Sequence, residues 1–108
     1  VSVRPYTRPS MEVRFEDAKL DRLETDASFT GGFDPAIVRA FRLRLQMIRG
    51  APDERTFYAL KSLHFERLKG NRSHQHSMRL NRQWRLILEF DDSGSVKVVC
   101  IVAIEDYH

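Results

Sequence analysis

Five cations, Lys69, Arg72, Arg79, Arg82 and Arg85, fall in a stretch of the chain whose apolar alternation reads as short strands. Cations so spaced on a small sheet suit a polyanion, and RNA is the first candidate. The chain then closes on Asp106-Tyr107-His108, three side chains able to serve as acid, base or stacking surface. The whole-chain charge of +3 is a weak argument, but its distribution is a stronger one. Between Lys61 and Phe90 seven Lys or Arg face only Glu66 and Glu89, a local excess of five. The plain alternative is a solvated basic face with no ligand.

Strand alternation places these charges. In residues 84–90 the apolar positions are Trp84, Leu86, Leu88 and Phe90, so Arg85 projects to the other face. In residues 75–80 Met78 and Leu80 point inward, which turns Ser77 and Arg79 outward and lets Arg79 share an open sheet face with Arg85. Further strands are expected at 11–15, 63–68 and 96–104. In the second of these Leu63 and Phe65 keep one phase that Leu68 breaks, and a bulge near Glu66-Arg67 would reconcile them. The last strand is apolar on both phases, as a central strand would be, and the run Glu105 to His108 is expected to emerge beyond it.

The elements that must hold this sheet come first in the chain. Residues 16–25 read as a short helix with Leu20 and Leu23 inward. A longer helix follows, with Asp34 as N-cap, Pro35 at its first position and an apolar stripe of Val38, Phe41, Leu45 and Ile48. Gly50 and Pro52 end it; Arg39, Arg42 and Arg49 form a basic back, either solvated or covered by an acidic partner. Residues 52–60 suggest one or two more helical turns. Helices first and a strand meander after is an α+β pattern, two to three helices on one face of a mostly antiparallel sheet of four to five strands.

Composition bounds the rest. A chain of 108 residues, 42% apolar with seven Phe, supports one packed core and one domain, expected over 11–108. Residues 1–10, with Pro5, Pro9 and no periodicity, are read as a disordered leader, an extended start or an expression remnant. The lone Cys100, inside an apolar run, is expected to be buried and inert. No stretch approaches the roughly 20 apolar residues of a membrane span, which points to the cytoplasm. His74 and His76 flank Gln75 without a second ligand cluster, so neither metal nor cofactor is expected.

Four separated elements, in order, carry a family resemblance. They are Leu68-Lys69-Gly70-Asn71-Arg72, Ser77-Met78-Arg79, Trp84-Arg85 and Asp106-Tyr107-His108. Over about 11–108 the chain resembles HigB-like toxins of the RelE/ParE superfamily. The resemblance implies a small RelE-like fold and a metal-free endoribonuclease that cleaves mRNA on the ribosome. It also implies a toxin that inhibits translation and growth until a HigA-like helix-turn-helix antitoxin neutralises it. Some relatives place a catalytic His three residues before the turn lysine, where this chain has Glu66, with His64 two residues earlier. Either of these substitutes, or the terminal residues act alone.

The chemistry such cleavage requires is a base for the 2′-hydroxyl, cations for the phosphorane and an acid for the leaving oxygen. Arg85 and Lys69 suit the second role. Asp106 and His108 are a natural acid/base pair, although His108 could equally be a solvated terminal residue. Tyr107 could stack on a base or cover the sheet edge. Arg72, Arg79 and Arg82 are read as phosphate-tracking, and Trp84 as core. The rival readings are a gyrase-binding toxin of the same superfamily, a ribosome- or RNA-binding module that does not cut, and an inactive relative kept for its antitoxin complex.

Overall fold

The computed structural model describes residues 11–107; the leader expectation for 1–10 and the role expected of His108 lie outside the described residues. Strand β1 (Glu12–Phe15) leads to helices α1 (Ala18–Thr25), α2 (Pro35–Gly50) and α3 (Arg55–Ala59). Strands β2 (Glu66–Arg67), β3 (Gln75–Arg79), β4 (Trp84–Asp91) and β5 (Val98–Asp106) follow. They form one sheet in the order β1-β5-β4-β3-β2. Only the β1–β5 pair is parallel, with Val13 opposite Val99 and Phe15 opposite Ile101. A parallel pair needs a long crossover, and here everything between the two strands supplies it.

Local chemistry sets the helix limits. The Asp17 carboxylate accepts from the Lys19 N–H at 2.8 Å, so α1 begins at Ala18, two residues later than periodicity alone indicates. Asp34 caps α2 through the Ala36 N–H at 2.9 Å, with Pro35 at the first position, as expected. At the other end Ala51 is already extended, at φ −81° and ψ 136°, the conformation that a following proline imposes. Pro52, not a left-handed glycine, therefore ends α2.

The helices lie on one face of the sheet, here called the near face. Leu23, Phe41, Leu45, Ile48 and Phe57 meet Met78, Leu86, Leu88, Val99 and Ile101 there, each with at most a trace of exposed surface. Trp84 joins this core edge-on to Phe33, ring centroids 5.9 Å apart. The basic back of α2 is only partly solvated. Arg49 makes a two-point pair with Glu24 at 2.7 Å, and Arg42 donates to the carbonyls of Leu23, Asp26 and Phe29. These two arginines tie α1 and its exit loop to α2 instead of waiting for a partner. Cys100 is buried, and burial pushes its thiol pKa up.

Three expectations are corrected. The strand over 63–68 shrinks to Glu66–Arg67, because Lys61–Leu63 closes a 3-10 turn and His64 takes a left-handed conformation at φ 47° and ψ 44°. That turn, not a bulge at Glu66-Arg67, sets the phase of Leu63 and Phe65. The last strand starts at Val98 and runs on to Asp106, so Glu105 and Asp106 are strand residues. Ser77 and Arg85 do leave the near face, but they are buried, at 0% and 9% exposure. No helix of the described residues is long and apolar enough to cross a membrane.

Candidate active site

Arg85 is the least expected charge in the molecule. Its neighbours Trp84 and Leu86 commit β4 to the near face, and alternation sends the guanidinium to the far one, where Arg79 on β3 is its register partner. It is buried, yet its Nε and Nη1 have no hydrogen-bond partner among the described residues. A buried charge without partners carries a desolvation cost of several kcal/mol, so such groups mark functional sites. The register offers Glu105 on β5 as a counter-ion. That carboxylate is instead taken by Arg72 in a two-point pair at 2.9 and 3.1 Å.

What covers Arg85 is the ring of Tyr107, its centroid 4.1 Å from the guanidinium carbon. The backbone places it there. Tyr107 follows β5 directly, and its N–H donates to the Gln83 carbonyl at 2.6 Å, which folds the chain end across the far face. The phenol then donates to Oε1 of Glu66 at 3.2 Å. Tyr107 thus spans from β4 to β2. Grooves flank it on either side, one lined by Glu66, Arg67, Leu68 and Lys69, the other by Arg72, Glu105 and Asp106. A cation–π contact contributes only about 1–2 kcal/mol, less than the hydrogen bonds the guanidinium forgoes.

Lys69 reaches the first groove because the chain turns sharply behind it. Gly70 sits at φ 68°, a conformation that costs a side-chain-bearing residue about 1 kcal/mol, and Gly70–Arg72 form a single 3-10 turn. The Lys69 ammonium is exposed and unpaired among the described residues. The same turn carries Arg72 back over the sheet, where its Nε also donates to Gln75 at 2.9 Å. Arg72 thereby ties the turn to β5 across the far face.

His64 and Glu66 both arrive on this face. Nη1 of Arg79 lies 3.0 Å from Nε2 of His64, and since arginine only donates, Nε2 is the acceptor of this contact. Asp106 is placed otherwise. It stands opposite Trp84 on the near side of the sheet and accepts from the Gln83 amide at 3.0 Å. Arg82 is exposed in the β3–β4 turn. His74 and His76 do not converge: His76 stacks on Phe65 on the near face, while His74 lies 3.8 Å from Glu89. Burial, with the charge of Arg67 second, lowers the His76 pKa.

Sequence reasoning missed Glu105 and undervalued Ser77. Both omissions have one kind of cause. Between Ile87 and Leu88 the β4–β5 register shifts, Ile87 facing Ala103 and Leu88 facing Ile101, so Val102 is an extra residue. That bulge reverses the phase of the strand end and puts Glu105, not Asp106, on the face of Arg85. The alternating hydrophobicity of Val98 to Ile104 carries no mark of it, since both phases are apolar. Ser77 is legible as a far-face residue, but its full burial, opposite Glu66 on β2 and Ile87 on β4, depends on the assembled sheet.

Comparison with known proteins is consistent across sequence and structure. A family model described as the RelE-like toxin of type II toxin-antitoxin system HigB matches residues 13–108. Among solved structures, a YoeB/ParE toxin from Agrobacterium tumefaciens is similar at a TM-score of 0.60 and 15% identity, covering 91% of this chain and 100% of that one. The YoeB-YefM complex from Staphylococcus aureus contains a chain similar at 0.56 and 19% identity, covering 91% and 97%. At such identities the likeness is one of fold. No curated protein matches the sequence.

Proposed function

Since the chain belongs to the HigB-like family, the RelE-like toxins of type II toxin-antitoxin systems, we propose that it is a metal-independent endoribonuclease that cuts mRNA on the ribosome. The observation that carries this reading is the buried Arg85 guanidinium under the Tyr107 ring, with two nitrogens that have no partner among the described residues. Such a cation, held in place before substrate arrives, suits the charge that develops on a phosphorane. Glu66 takes the proton of the 2′-hydroxyl, and the freed oxygen attacks phosphorus. Arg85 and Lys69 stabilise the non-bridging oxygens. The bond to the 5′-oxygen breaks as His108 returns a proton to it, leaving a 2′,3′-cyclic phosphate and a 5′-hydroxyl end.

Tyr107 leaves Arg85 when substrate enters and offers its ring to an unstacked base. Arg79 holds His64 beside this centre as an alternative base, and Arg82 meets the flanking strand. The partner that silences the toxin is a HigA-like helix-turn-helix antitoxin; the S. aureus toxin recorded as a complex with YefM supports this reading.

Brief induction in cells followed by 5′-end mapping of mRNA tests the proposal. New cuts inside translated regions, absent with Arg85→Met, are the expected result. Growth arrest with intact mRNA would move the reading to gyrase or to occlusion of the ribosome without cleavage.

A further inference from the structure

Arg85 is not the only buried orphan on the far face. The Ser77 hydroxyl is fully buried and likewise has no hydrogen-bond partner among the described residues. Register puts the two groups together: Ser77 faces Ile87 and Arg79 faces Arg85, so Ser77 and Arg85 are diagonal neighbours on the far face of adjacent strands. Diagonal neighbours lie about 7–8 Å apart, within reach of a long side chain. Across the other edge of β3, Ser77 faces Glu66, the residue to which Tyr107 is tethered. The ring that covers Arg85 and the hydroxyl that reaches Glu66 therefore bracket Ser77 as well. Elsewhere on this face the polar groups are matched, Arg72 to Glu105 and Gln75 to Glu89.

A serine that only filled space here would be better as alanine, because a buried hydroxyl without a partner is costly. Two donors without partners among the described residues, diagonal on one face and beside the grooves that flank Tyr107, suit an anion. We infer that Ser77 and Arg85 are the two halves of a single binding site for a non-bridging oxygen of an RNA phosphodiester, closed by Tyr107 in the unliganded protein. This rests on the ribonuclease reading above and adds a residue to it. The Ser77 O–H and the Arg85 N–H groups donate to the same phosphate once the Tyr107 phenol releases Glu66. The hydroxyl donates along a fixed direction from a rigid strand, whereas Lys69 approaches from an exposed turn. Ser77 would thus fix the phosphate that is cut, and Lys69 would supply charge.

The test pairs cleavage with binding. Ser77→Ala is expected to slow single-turnover cleavage of ribosome-bound mRNA at least tenfold, with a melting temperature equal to or above the wild type. Ser77→Cys, nearly isosteric but a weak donor, is expected to fall between them and guards against a folding failure of the first variant. In parallel, an RNA trinucleotide blocked by 2′-O-methyl groups is titrated into the free protein, following the Arg85 Nε–H resonance. Wild type should shift that resonance, and Ser77→Ala should bind several-fold more weakly. Equal cleavage and equal binding in Ser77→Ala would overturn the inference and leave a bridging water as the occupant. If wild type fails to cut, the ribonuclease reading falls, and the trinucleotide titration still decides the anion site.

Discussion

The two faces of this sheet are made by the same strands and obey opposite rules. On the near face Met78, Leu86 and Leu88 are sealed under α2. On the far face, one residue along each strand, Ser77 and Arg85 are buried with donors unmet among the described residues, Tyr107 lies over Arg85, and Glu66 and Arg79 are register neighbours. The near face is stable because its centre is apolar, with the His76 ring stacked on Phe65 at its margin. The far face keeps a charge out of water with no counter-ion among the described residues, and the near face supplies the stability that makes this tolerable. A contrast this sharp between adjacent residues can be broken one substitution at a time.

The largest effect is expected on the near face. Leu86→Ala removes a fully buried side chain and should cost about 2–5 kcal/mol in urea unfolding, enough to threaten the fold of a domain this size. Its neighbour behaves in the reverse way. Arg85→Met keeps the packing and discards the charge, so stability should hold or rise, while cleavage in a purified translation system drops about a hundredfold or more. Glu66→Gln should lower cleavage by roughly a hundredfold and leave unfolding within about 0.5 kcal/mol, since the carboxylate is exposed. If His64→Ala had the larger effect on cleavage, the base would be His64.

Smaller effects sharpen the near-face side. Glu24→Ala frees Arg49 and should cost only about 0.5–1 kcal/mol, because the pair lies at the surface. The last concerns acid. Burial holds the His76 pKa below its ordinary 6.5. The unfolded chain therefore binds this proton at a higher pH than the folded one. The stability linked to neutral His76 is present above about pH 6.5 and is lost as pH falls through the lowered folded value. His76→Phe, which preserves the stacking on Phe65, should show a shallower decline in melting temperature between pH 7 and 5 than the wild type.

Much of the near face was legible from residue order. The alternation Trp84, Leu86, Leu88, Phe90 and the stripe Val38, Phe41, Leu45, Ile48 named the core, because burial of an apolar face repeats with the backbone period. The parallel β1–β5 pair was not legible, since four residues near one end of the chain carry no sign of which distant strand they will join. For the far face, sequence singled out Arg85, Lys69 and Tyr107, and spacing put Arg79 beside Arg85. It did not show that Glu105 would be drawn to Arg72 or that Asp106 would turn to the near side. A one-residue bulge in β5 and the 3-10 turn at Gly70–Arg72 decide those, and neither leaves a hydrophobic signature.

The most direct test is single-turnover cleavage of mRNA on purified, programmed ribosomes by wild-type protein and Arg85→Met, with unfolding curves run on the same preparations. Loss of about a hundredfold or more in rate with an unfolding midpoint equal to or above the wild type is the predicted result. Cleavage by Arg85→Met at the wild-type rate would contradict the assignment of the far face as the catalytic one.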